Sequence, residues 1–205
     1  MNRDKYLTYS ELKDDYHACD EALDTFARDL GRDGCLSFGQ SGLIGLLVHP
    51  EGRQHISWLL GNTPANWDFD MLDLSGTNLA RLCVANQHVT ACEFIGAELY
   101  RAIFRRAYID GCNFSGANLY NGNFYDSYIS GTSFASANLQ SSYFAYTELN
   151  CCHFYKADLR DANFQDTSLM GSCFGEAKLV GADFRGATGL HPHQRKLLKR
   201  SGAIV

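Results

Sequence analysis

The chain has 205 residues, 45% of them hydrophobic and 20% charged, which is enough to bury a core and too apolar for a disordered polymer. Its formal net charge of −5, from 18 basic and 23 acidic residues, supplies no basic field to neutralise phosphates, so direct nucleic-acid binding is not expected. No apolar run approaches the roughly 18 residues of a membrane-spanning helix, the longest candidate being 43–48, and no membrane association is expected.

The N-terminus, MNRDKYLTYSELKDD, is charged and has no apolar stretch of the signal-peptide kind, which makes a cytoplasmic location the expectation. Eight cysteines without a Cys-x-x-Cys pair read as reduced thiols. Ser10 is a plausible helix N-cap. Leu12, Tyr16, Cys19, Leu23, Phe26 and Leu30 follow at alternating spacings of four and three, with Gly31 as a stop, the pattern of an amphipathic helix. Two shorter apolar helices are expected over 42–48 and 54–60, with Pro50 and Gly52 marking the turn between them. Residues 1–66 therefore read as an α-helical region, either a cap on the rest of the chain or a partner-recognition domain.

From Phe69 the text changes to a period of five. The 24 positions from Phe69 to Phe184 in steps of five are all apolar, with no insertion. Two residues before each centre, from Cys92 to Ala187, all 20 positions are Ala, Gly, Ser, Thr or Cys. Asn and Asp are frequent between these two columns, giving ANL (117–119), ADL (157–159), ANF (162–164) and ADF (182–184). Neither a straight strand nor an α-helix can bring residues five apart onto one face, so the chain must turn once per repeat. The small residue and the apolar centre then point inward, and three positions in five point outward.

From Phe94 to Phe184 the centres alternate between Phe and Leu or Ile, a period of ten. Four sides and twenty residues per coil make each interior column uniform, whereas three sides would mix Phe and Leu in every column. Twenty-four repeats then make about six coils, a rod of roughly 29 Å at the inter-strand spacing. The acidic excess of this segment reads as a thin charge spread over the four faces. The first coil is irregular, with Trp67, Leu72, Leu82 and Gln87 in the small-residue slots.

These texts and the unbroken register over 67–188 resemble the pentapeptide-repeat family. The resemblance implies a mainly β fold, a right-handed quadrilateral parallel β-helix. The segment 189–205, containing HPHQRKLLKRSGAIV, has four basic residues and no acidic one. It reads as a short capping helix with Leu197 and Leu198 inward, then a strand-like Ala203 to Val205. Its LLKRSGAIV ending is similar to the closing helix and strand of the quinolone-resistance and microcin-immunity branches of that family. That similarity implies a homodimer formed end to end through Leu197, Leu198, Ile204 and Val205, which would cover an open sheet edge.

No catalytic constellation emerges, and a filled rod has no cleft in which Asp158, Asp161 or Asp166 could become an acid or base. His191 and His193 lack further ligands, so neither a metal nor another cofactor is expected. Cys92, Cys112 and Cys152 share an interior column and read as packing thiols. The outward positions are more informative. Eight of eleven tyrosines lie there, Tyr100 over Tyr120 and Tyr108 over Tyr128, beside Arg101, Arg105 and Arg106. Tyr with Arg is the composition of interface hot spots, although aromatic ladders also stabilise a sheet face. These seven residues are the candidate partner-binding set.

The sequence thus reads as a non-enzymatic protein–protein interaction module. The resemblance implies protection or inhibition of DNA gyrase, a type II topoisomerase, with an acidic rod standing in for DNA in antibiotic or toxin resistance. The alternative is a scaffold, regulatory adaptor or secreted bacterial effector whose helical N-terminal region supplies specificity.

Overall fold

The computed structural model describes residues 6–8, 35–37 and 68–205. The chain divides into two compact units, Met1–Thr63 and Pro64–Val205. In the first, β1 (Tyr6–Thr8) pairs antiparallel with β2 (Cys35–Ser37), Leu7 opposite Leu36. Neither strand is among the elements expected from the sequence pattern. The helices expected over 10–31, 42–48 and 54–60 lie outside the described residues.

The second unit is built by the five-residue period. Strands β3 (Asp68–Asp70), β4 (His88–Thr90), β5 (Tyr108–Asp110), β6 (Tyr128–Ser130) and β7 (Glu148–Asn150) form one parallel sheet in chain order, each displaced by twenty residues from the last. Parallel bridges at the same spacing run through three further positions of the coil, such as Asp73 to Glu93, Asn78 to Glu98 and Cys83 to Ile103. Twenty residues therefore return the chain to the same place, and the coil has four sides. Side one carries the centres Phe69 to Leu169, side two Leu74 to Phe174, side three Leu79 to Leu179, and side four Val84 to Phe184.

Each feature of the repeat has a physical cause. The residue two after every centre, from Met71 to Gly186, has a positive φ, and sixteen of these are not glycine. A left-handed corner is what turns the chain from one side to the next, and no β-branched residue or proline occupies any of these corners, the types least able to adopt it. The Asn or Asp before a centre accepts a hydrogen bond from the backbone N–H two residues on, as in Tyr125 N–H to Asn123 Oδ1 at 3.0 Å and Gln165 N–H to Asn163 Oδ1 at 2.8 Å. This side-chain turn fixes the start of the bend, which explains the recurrent A(N/D)(L/F) text.

Inside, every centre is buried except Phe174, which is half-buried on the last coil. The phenylalanines of sides two and four stack along the rod at 4.6–5.2 Å, as in Phe94 on Phe114 and Phe114 on Phe134, with nearly parallel rings. Across the rod the two columns meet edge to face, as in Phe124 with Phe134 at 87°. Both arrangements suit the ring quadrupole. The polar members of the small-residue column are satisfied internally: Thr147 Oγ1 donates to the Phe124 carbonyl at 2.7 Å and Cys112 Sγ to that of Val89 at 3.3 Å.

The chain leaves the rod at Gly189, whose φ of +76° and 2.8 Å approach of an added Cβ to the Met170 amide nitrogen exclude a side chain. Helix α1 (Pro192–Arg200) follows, with Pro at its first position. Gln194 ties it down, its Oε1 accepting from His191 N–H and its Nε2 donating to the Ser172 carbonyl. Leu198 is buried, whereas Leu197 is 47% exposed. The expectation that both point inward is corrected, because adjacent helical residues lie about 100° apart and the rod end receives only one of them. Ile204 then pairs parallel to Asp183 and adds a rung to side four.

Candidate functional site

The seven candidate partner-binding residues fall into groups set by the coil geometry. Tyr100 and Tyr120 stack on side three with centroids 5.8 Å apart, and Arg101, on the corner between sides three and four, lies 5.1 Å over the Tyr100 ring. On side one, His88, Tyr108 and Tyr128 form a ladder, with centroids 5.2 and 5.0 Å apart. Arg105 lies on side four, 5.7 Å over the ring of Tyr125. Arg106, on the corner between sides four and one, pairs with Asp126 at 2.9 Å. The residues do not form one patch; they wrap three of the four sides.

The structure adds members to this set on side four. Tyr125 contacts Tyr143 (5.8 Å) and Tyr146 (5.6 Å), and Ile103 is 37% exposed. The tyrosines are recognisable in the sequence as outward residues, but their clustering depends on the register between neighbouring coils. Ile103 carries its own signal, the one aliphatic residue in a slot that elsewhere holds polar or aromatic residues or cysteine.

Charge is also sorted by side. Apart from Asp68, sides one and two carry six carboxylates, Asp70, Asp73, Glu93, Asp110, Glu148 and Glu176, against one cation, Lys156. Sides three and four carry seven basic and six acidic residues over the same coils. The expectation of a thin negative charge spread over four faces is therefore corrected: the excess sits on two adjacent sides. On the other two, several carboxylates are consumed by local pairs. Arg160 holds the Asp158 carboxyl below its ordinary value at 2.7 Å, and Arg185 does the same to Asp183 at 2.6 Å.

Among the described residues no group of three or more His, Cys, Asp or Glu side chains could hold a metal ion. Cys112 and Cys152 are poor nucleophiles. Burial pushes Cys152 up to about 12, and the neighbouring Cys92 thiol together with burial raises Cys112 well above the usual range.

Of the candidate dimer contacts, Leu197 (47%), Ile204 (48%) and Val205 (37%) are exposed, whereas Leu198 is 3% exposed and packs within its own chain. No helix among the described residues is long and apolar enough to cross a membrane.

Four sides, a left-handed corner every fifth residue and stacked interior columns define a solenoid of parallel β-coils. Residues 97–174 match the family model described as pentapeptide repeat region, and the chain carries such a region. Among solved structures it is similar to a trypsin-treated form of QnrB1, a plasmid-mediated fluoroquinolone resistance protein (22% identity, 68% of this chain and 87% of that one, TM-score 0.42). It is also similar to a pentapeptide repeat protein of the Arabidopsis thaliana thylakoid lumen (22%, 69% and 80%, TM-score 0.27). A third is HetL of the cyanobacterium Nostoc, involved in heterocyst differentiation regulation (19%, 68% and 78%, TM-score 0.26). No curated protein gave a match.

Proposed function

We propose that this chain is a non-enzymatic protein–protein interaction module of the cytoplasm whose acidic sides, one and two, occupy the DNA-binding surface of a type II topoisomerase such as DNA gyrase. The observation that carries this reading is the sorting of charge. Asp70, Asp73, Glu93 and Asp110 follow one another on two adjacent sides of a rigid rod, with no Lys or Arg among them over three coils. Carboxylates one or two coils apart along these sides offer a basic groove the sign of charge a nucleic-acid backbone would offer. Dimerisation through Leu197, Ile204 and Val205 would double the length of that charged surface.

The test is a DNA gyrase supercoiling assay over a protein concentration series, with and without a fluoroquinolone. Inhibition, or rescue from the drug, that is weakened in Asp110→Lys and Glu148→Lys supports the reading; no effect in either arm sinks it. A second reading, a scaffold or effector adaptor, is favoured by the separate compact unit Met1–Thr63. Deleting residues 1–66 should leave a gyrase effect intact under the first reading and abolish partner binding under the second.

A further inference from the structure

Side four differs from the acidic sides in every respect that matters for docking. Over its first four coils, residues 81–86, 101–106, 121–126 and 141–146, it carries Arg81, Arg101, Arg105 and Arg106 against a single carboxylate, Asp126. Asp126 is taken by Arg106. Arg101 and Arg105 have no carboxylate partner among the described residues. Each guanidinium lies instead over a tyrosine ring, at 5.1 and 5.7 Å. Stacking of this kind holds the guanidinium plane while leaving its N–H edge free for a bidentate grip on a carboxylate.

Between and beyond these arginines the surface is apolar. Ile103 (37% exposed), Tyr143 (39%) and Tyr146 (55%) stand outward, with Tyr125 joining the two tyrosines into one contact group. Rigid aromatic anchors beside preorganised arginines are the composition of interface hot spots, and few rotamers remain to be frozen on binding.

We propose that side four, from Arg101 and Ile103 through Arg105, Tyr125 and Tyr143, is a docking surface for an acidic protein segment that also carries apolar side chains. Charge complementarity selects this occupant: the stacked arginines of side four call for carboxylates, and the exposed isoleucine and tyrosines call for apolar anchors between them. The carboxylates of sides one and two would repel a nucleic-acid strand approaching the same rod. The proposal rests on the interaction-module reading but uses a different surface from the topoisomerase contact, so the two can fail separately.

The experiment is titration of the isotopically labelled full chain with a short peptide of alternating glutamate and leucine, followed by amide and side-chain NMR shifts. A lysine–leucine peptide and a thymidine oligonucleotide serve as the comparison probes. Shifts confined to Arg101, Ile103, Arg105, Tyr125 and Tyr143 with the glutamate peptide are expected, weakened about tenfold in Arg101→Glu/Arg105→Glu. The double variant lies on outward positions, and its thermal melt should match that of the parent chain. Tyr143→Ser, which keeps every charge, should weaken binding as well. No shifts, shifts on the acidic sides, unchanged binding by the double variant, or preference for the oligonucleotide or the lysine peptide would each overturn the assignment. A positive gyrase assay beside a failed titration would leave the module reading standing and remove only this surface.

Discussion

Replacing Phe134 by alanine is the sharpest test of the stacked interior. The ring is fully buried and packs on Phe114 at 5.2 Å and Phe154 at 5.1 Å along its column, and on Phe124 at 5.8 Å and Phe144 at 6.1 Å across the rod. Truncation removes the apolar burial and leaves a cavity that fixed coils above and below cannot close, a combination that costs about 3 to 5 kcal/mol. Stacked and edge-to-face pairing with the surrounding rings disappears as well, which places the expected value in the upper part of that range. Phe174 supplies the internal control. It lies on the last coil, partly exposed and stacked along its column on Phe154 alone, so Phe174→Ala should cost less. Urea unfolding followed by circular dichroism measures both, with the slope checked for constancy because a solenoid need not unfold as one unit. A loss at Phe134 below about 1 kcal/mol, or one equal to that at Phe174, would refute the column geometry.

Other perturbations probe different layers of the same rod. Gly111 has a φ of +61° and open space where a Cβ would sit, so Gly111→Val should cost about 1 to 2 kcal/mol through backbone strain alone, while Gly111→Asn should be nearly neutral in thermal unfolding. The Asp183 carboxyl is held low first by Arg185 and then by Gln165, with burial opposing. Its contribution is therefore present above the unfolded carboxyl value of about 3.9 and lost as pH falls toward the folded one. Because Arg185 is 65% exposed, Arg185→Ala should lower the melting temperature only slightly at neutral pH and flatten the acid limb of a stability–pH curve; a steeper limb would contradict the pairing. Iodoacetamide at neutral pH should label the exposed Cys151 and Cys173 and spare Cys92, Cys112 and Cys152 in the folded protein, read by peptide mass spectrometry. Equal labelling of Cys152 would contradict its place in the interior column.

The repeat makes the rod legible because its signal is redundant. Two inward columns, apolar from Phe69 and small from Cys92, recur without a slip, and the Phe/Leu alternation reports the number of sides. The features that stay hidden depend on contacts between residues twenty apart or on the rod end. Leu197 and Leu198 are equivalent in the text, yet only one reaches the rod end. Tyr125, Tyr143 and Tyr146 are as outward as Tyr100 or Tyr108, and only adjacency across a corner and a coil joins them. The strands at Tyr6–Thr8 and Cys35–Ser37 are three residues each, too short for an alternation pattern to announce them.

Charge illustrates the same dependence most sharply. A net −5 over a chain of this length reads as an ordinary solvated surface. Once the coil register is imposed, that near-neutral average resolves into two sides with almost no cations and a third arginine-rich strip, where Arg101 and Arg105 stack on tyrosines. Composition averages over directions, whereas a solenoid fixes the direction of every fifth residue. The rigidity of a filled rod means that these surfaces cannot exchange or mix by local rearrangement, since moving one outward side chain to another side would require slipping a buried phenylalanine out of its column. A partner that needs negative charge and a partner that needs positive charge can therefore be bound on different sides of the same coils, without either site distorting the other.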